Sequence, residues 1–161
     1  MGQKVLSKQT QKVLGVIEKG IIDPDTGKVI VFELKTSMTK RWLPILDVQG
    51  YDPEAILIQS EGSLLRLEEL PRVKNILESG LKVWEAKVFT ESGRYLGRVA
   101  DIVFDEHSGE VVKYYVSRPF FLSPLKAYMI LDKKQVLRVE RKGLIVKEPE
   151  EKVPTEALAS N

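Results

Sequence analysis

Two stretches of this chain repeat one another at a fixed distance, and that repetition limits its possible folds more than any other feature. Lys12-Val13-Leu14-Gly15-Val16-Ile17 is echoed by Arg94-Tyr95-Leu96-Gly97-Arg98-Val99, at an offset of 82 residues. Ile21-Ile22-Asp23-Pro24-Asp25-Thr26-Gly27-Lys28-Val29-Ile30 is echoed by Val103-Phe104-Asp105-Glu106-His107-Ser108-Gly109-Glu110-Val111-Val112 at the same offset of 82. Further on, Ile45-Leu46-Asp47 matches Ile130-Leu131-Asp132 at an offset of 85, which places three extra residues in a loop of the second copy. A repeated unit within 161 residues implies two modules of roughly 75 residues each. Modules of that size bury proportionally little surface, so the halves are expected to pack on one another.

Each repeated block has its own local chemistry. Leu-Gly-x-Val marks a handover from turn to strand, where Gly15 and Gly97 allow positive φ or close backbone approach. In Asp-x-x-[Thr/Ser]-Gly, Asp23 and Asp105 can accept bonds from backbone two residues on, and Gly27 and Gly109 can close the turn in the left-handed region. The flanking runs are β-branched and aromatic, Val29-Ile30-Val31-Phe32 in one copy and Val111 to Val116 in the other, which completes a hairpin signature. Later strands are expected at Ala55-Ile58, Ser63-Arg66, Met129-Leu131, Val136-Glu140 and Leu144-Val146. Short strands at even spacing predict small closed barrels rather than a parallel sheet. Between the copies, Pro71 opens and Gly80 closes a helical pattern with Leu70, Val73, Ile76 and Leu77 on one side.

The second copy runs Gly93-Arg94-Tyr95-Leu96-Gly97-Arg98-Val99-Ala100-Asp101-Ile102-Val103-Phe104-Asp105-Glu106-His107-Ser108-Gly109-Glu110-Val111. This resembles the PRC-barrel family, named for the cytoplasmic β-barrel domain of the photosynthetic reaction-centre H subunit; a related barrel ends a ribosome-maturation factor. The first copy departs from the pattern: Gln11 replaces the leading glycine, and Lys19-Gly20 stands where the second has Asp101-Ile102, so a different bend is expected there. The resemblance implies a mostly β chain of two small PRC-type β-barrels in tandem, joined by a short helix. Residues 1–80 would form the first domain with its linker helix near 71–79, residues 81–147 the second, and residues 148–161 a disordered acidic tail. It also implies a binding or assembly module without enzymatic activity, although a fold hosts many roles. Tandem copies of this kind resemble bacterial stand-alone proteins, which sets the expectation of a cytoplasmic or membrane-peripheral location.

The residue inventory removes most chemistries. There is no cysteine and one histidine, His107, so no thiolate or His-based metal site, no disulfide framework and no Ser-His-Asp triad is expected. No apolar run reaches the length of a membrane-spanning helix, and the N-terminus has no secretion-signal core. Asp101, Asp105 and Glu106 near one turn, with Asp23 and Asp25 near the other, lack calcium-loop spacing and read as turn-forming carboxylates. Phosphate-binding glycine loops are absent. No catalytic, cofactor or metal residues are therefore expected.

What remains is surface. Arg118-Pro119-Phe120-Phe121-Leu122-Ser123-Pro124-Leu125-Lys126 brackets large apolar residues with prolines and cations, the composition of a partner-binding patch. Arg41 and Trp42 offer a similar cation–aromatic pair in the first copy. Residues 81–147 hold 13 basic and 8 acidic side chains, a net of +5. The leading expectation is a protein–protein adaptor, with a peripheral membrane complex as one setting. The alternative is an RNA- or ribosome-associated factor using the basic second half, but no basic run of five exists and aromatic interleaving is sparse.

Overall fold

The computed structural model describes residues 2–119 and 128–149. The first half contains β1 (Lys4–Ser7), β2 (Val13–Asp23), β3 (Lys28–Lys35), β4 (Lys40–Pro44), β5 (Val48–Tyr51) and β6 (Ala55–Ile58). A helix, α1 (Pro71–Ser79), follows. The second half contains β7 (Lys87–Thr90), β8 (Tyr95–Phe104), β9 (Val111–Ser117), β10 (Tyr128–Asp132), β11 (Val136–Glu140) and β12 (Gly143–Val146). Leu70 to Gly80 satisfies the helix-end rules: Pro71 opens α1, and Gly80 ends it in the left-handed region at φ 77°.

The strands make two six-stranded sheets in the orders β4-β3-β2-β1-β6-β5 and β10-β9-β8-β7-β12-β11. The expectation of tandem closed barrels is corrected here. β4 and β5 end the first sheet, β10 and β11 end the second, and neither pair of end strands joins. Both sheets are mixed, because β1 pairs parallel to β6 and β7 parallel to β12 while all other pairings are antiparallel. The residues at Ser63-Arg66 do not form a strand; they contribute a single bridge, Leu65 to Trp42. Conversely, β1 and β7 precede the repeated blocks and carry no turn motif of their own.

Register relates the two sheets residue by residue. Val5 faces Gly15 and Ile56, while Val88 faces Gly97 and Leu144. Lys35 pairs with Lys40 in one sheet and Ser117 with Tyr128 in the other. β2 and β3 therefore correspond to β8 and β9 at an offset of 82, and β4 to β10 at an offset of 88. The Ile-Leu-Asp match at offset 85 is thus out of register: Ile45–Asp47 is a 3₁₀ turn, whereas Ile130–Asp132 ends β10. Four residues, 36–39, separate β3 from β4, and ten, 118–127, separate β9 from β10 in the sequence. The bulges coincide too, at Ile17/Lys19 and Val99/Asp101 and again at Ile21/Ile22 and Val103/Phe104. The expected difference in bend at Lys19-Gly20 is absent. A bulge rotates successive side chains relative to the sheet, so Ile22 joins the main core while Ile21 faces the opposite side.

One core runs through both halves, from Val5, Ile17, Phe32, Leu34 and Leu43 to Val88, Val99, Tyr114, Val116 and Leu144. Each large apolar side chain buried in it contributes about 1.5–3 kcal/mol. A smaller core joins Ile21 and Val31 to Val73 and Ile76 of α1, with Trp42 against its edge. The two halves also meet through backbone. The Val29 amide donates to the Gly109 carbonyl at 2.8 Å, and the Val111 amide donates to the Gly27 carbonyl at 3.1 Å. Since Gly27 corresponds to Gly109 and Val29 to Val111, the junction is self-complementary, as in a two-fold dimer interface.

Candidate functional site

The repeated turns are structural in their contacts. The Asp105 carboxylate accepts from the backbone amides of His107 at 2.9 Å and Ser108 at 2.8 Å, and these bonds hold its pKa below the usual aspartate value. The Asp23 carboxylate accepts from the Asp25 amide at 2.9 Å and from the Arg72 guanidinium at 3.0 and 2.6 Å. The Arg72 bonds lower its pKa against the opposing effect of burial. Arg72 also reaches Asp25 at 2.8 Å, so α1 clamps the first turn from 47–49 residues away. No local sequence pattern signals that clamp. Gly27 and Gly109 close the turns at φ 72° and 79°. Gly15 and Gly97 instead lie against backbone: a Cβ on Gly15 would sit 2.8 Å from the Lys35 carbonyl, and one on Gly97 would overlap that of Ser117. Among the described residues, no group of three or more His, Cys, Asp or Glu side chains is placed to hold a metal.

The surface candidates fall in different settings. Trp42 is half-buried; its ring packs at the edge of the α1 core, and its Nε1 is buried without a partner. Its backbone exchanges hydrogen bonds with Leu65 at 2.9 and 2.8 Å, so the outer edge of β4 is covered there. Arg41 is half-buried and donates from Nη1 to the Lys40 carbonyl at 3.0 Å. Arg118 is exposed at the start of the β9–β10 loop. Phe120, Phe121 and Leu122 lie outside the described residues.

The counterpart of Trp42 on the other outer edge is Ile130. It is 53% exposed and Tyr128 is 58% exposed, while the Tyr128 ring rests edge-on against Tyr115 at 6.4 Å between centroids. No bridge covers Ile130 among the described residues. An edge strand with apolar side chains and unpaired backbone groups is a ready template for another strand. Its exposure was not legible beforehand, because β10 opens with an unbroken apolar run, Tyr128 to Leu131, as a covered strand also would.

No helix among the described residues is long and apolar enough to cross a membrane. No curated protein matches the chain. The sequence pattern of the PRC-barrel domain family matches residues 84–153, a span that takes in all of β7 to β12. That family is generally non-catalytic, and the chain has no cysteine and, among the described residues, no metal-binding cluster. Residues 84–153 are a PRC-barrel domain region.

Proposed function

We propose that this chain is a non-catalytic assembly module whose second half binds a protein partner along the outer edge of β10. The adjoining loop, with Arg118, Phe120, Phe121 and Leu122, would form the rest of the contact, and Arg41 and Trp42 the corresponding surface of the first half. On this reading residues 4–58 are a second copy of the same domain, a reading supported by equal strand order and matching bulges. The carrying observation is the contrast between equivalent edges: Leu65 bridges Trp42 of β4, whereas Ile130 of β10 is exposed and without such a bridge among the described residues. Strand addition to such an edge draws affinity from main-chain hydrogen bonds and specificity from alternate side chains.

The test uses the full chain. A partner captured from native extract is identified, purified and titrated against Ile130→Pro and against Phe120→Ser/Phe121→Ser. The Trp42 amide points away from β3, toward Leu65, so by register the Ile130 amide points away from β9. Proline there removes the outward donor and leaves the β9–β10 ladder intact. Both variants should weaken binding at least tenfold with unchanged folding. Unchanged affinity, or retention only of RNA in a salt-dependent manner, would refute strand addition and favour the nucleic-acid reading. Cosedimentation with membranes that survives both variants would likewise count against this surface.

A further inference from the structure

From β4 and β10 onward the two halves keep one spacing. Lys40 corresponds to Tyr128, Val48 to Val136 and Ile58 to Val146, an offset of 88 that relates β4, β5 and β6 to β10, β11 and β12. The bulges at Val48/Gly50 and Val136/Arg138 obey it as well. The chain also leaves β6 and β12 in the same way. The Lys8 amide donates to the Ile58 carbonyl at 2.8 Å, and the Glu91 amide donates to the Val146 carbonyl at 3.0 Å. Glu148 is then held against the β7–β8 turn, where its carboxylate accepts from the Ser92 hydroxyl at 2.6 Å and pairs with Arg94 at 3.4 Å.

In the first half the segment after β6 crosses to the outer edge of β4. Residues 59–64 lead from Ile58 to Leu65. The Leu65 amide donates to the Trp42 carbonyl at 2.8 Å and its carbonyl accepts from the Trp42 amide at 2.9 Å, an antiparallel bridge. The offset of 88 carries Trp42 to Ile130 and Leu65 to Val153, which follows β12 after an intervening segment of the same length, residues 147–152. The PRC-barrel domain region itself extends to Val153, past its last strand. Such a bridge needs a residue that both donates and accepts. Val153 does, and the proline falls one place later, at Pro154. Its counterpart Arg66 gives its amide to the Glu69 carboxylate at 3.0 Å and not to β4, so a missing N–H at 154 takes nothing from the bridge.

We infer that residues 152–154 fold back onto the outer edge of β10, with Val153 opposite Ile130, and occupy the surface that a partner strand takes. As a regulator this cover rests on the partner edge proposed above. Its hold is weaker than that of Leu65. Leu64 packs against the main core and Leu67 against the core beneath α1, whereas Lys152 and Thr155 stand at the corresponding positions. The tether raises the local concentration of the segment but adds no contact. A partner strand with apolar side chains at those two places therefore displaces it.

Amide hydrogen exchange in the ¹⁵N-labelled full chain reads the cover with no partner present. The Ile130 amide should exchange at least about threefold more slowly in the wild type than in Val153→Pro or in a chain ended after Pro149. The Leu131 amide, which by alternation faces β9, should be equally protected in all three and so reports an unchanged fold. Equal exchange at Ile130 in the three proteins overturns the inference, as does protection that rises with protein concentration whether or not Val153 is replaced, since it then comes from a second molecule. Titration with the purified partner separates the two readings. With both correct, Val153→Pro tightens partner binding by the factor by which it loses protection, and Ile130→Pro weakens it. Slow exchange at Ile130 with partner affinity unmoved by Ile130→Pro upholds the cover and refutes the partner edge. Equal exchange with affinity lost in Ile130→Pro refutes the cover and upholds the edge.

Discussion

Equivalent glycines at the junction make unequal demands, and the difference can be measured. Gly27 and Gly109 share a left-handed conformation, so alanine at either meets the same backbone strain of about 1 kcal/mol and gains the same reduction in unfolded-state freedom. The surroundings differ. Nothing lies within 4 Å of a Cβ built on Gly27, but one on Gly109 would lie 2.6 Å from both the Ile45 Cδ1 methyl and the Val29 carbonyl oxygen. The methyl can rotate away. The carbonyl cannot, because the neighbouring Val29 amide is bonded to Gly109 itself and Val111 to Gly27. Relief requires moving the halves apart, an overpacking cost of about 1–3 kcal/mol. Gly109→Ala should therefore destabilise by about 2–4 kcal/mol and Gly27→Ala by about 1 kcal/mol. Urea unfolding followed by the fluorescence of Trp84, only 6% exposed at the junction, reads the difference; in thermal melts it amounts to about 2–12 °C. Equal destabilisation by the two substitutions would show that the halves do not meet through these turns.

Further outcomes follow from the same contacts. Asp23→Asn should cost about 1–2 kcal/mol at pH 6, after discounting for the half-exposed Arg72 guanidinium. Because Asp23 and Asp105 have lowered pKa values in the folded state, their stabilisation is present above the usual aspartate range and fades as pH falls through the folded values. The wild type should lose stability below pH of about 4, and Asp23→Asn should lose less of it, in urea titrations across that range. Tyr51 and Tyr114 have raised pKa values, so the sign reverses: stability falls as pH rises above about 10, and Tyr51→Phe should remove a late phase near pH 12 from the tyrosinate absorbance. Ile76→Ala should cost about 2–4 kcal/mol, since Ile76 is 4% exposed beneath α1, as measured by urea unfolding.

What could be read from the chain divides by range. The Asp-x-x-[Thr/Ser]-Gly turns carry their own chemistry, so the pairing of β2 with β3 and of β8 with β9 is written in adjacent residues. Gly80 and Pro71 frame α1 for the same reason. The parallel partners of β1 and β7 are set by contacts about 50 residues away, Val5 with Ile56 and Val88 with Leu144, and no local pattern marks them. Closure failed as an expectation because alternation says which face a residue takes, not whether two end strands meet. The third repeat slipped from 88 to 85 because β4 and β10 have no turn signature to anchor them, and Ile-Leu-Asp is a short string that recurs by chance. The candidate site shows the same limit: Trp42 and Leu65 are far apart in sequence, and only folding shows which outer edge is bridged and which is left open among the described residues.

The self-complementary junction has a topological corollary. Each turn can accept its mate from the same polypeptide or from another molecule, and the bonds formed are identical. What selects the internal pairing is the tether. With α1 fixed to the first sheet through Val73 and Ile76, only residues 80–86 span the gap from Ser79 to Lys87, which holds the mating surfaces at an effective concentration in the millimolar range. Loosening that helix lengthens the leash, so the segment that looks like a connector also acts as the guard against exchange of halves between molecules.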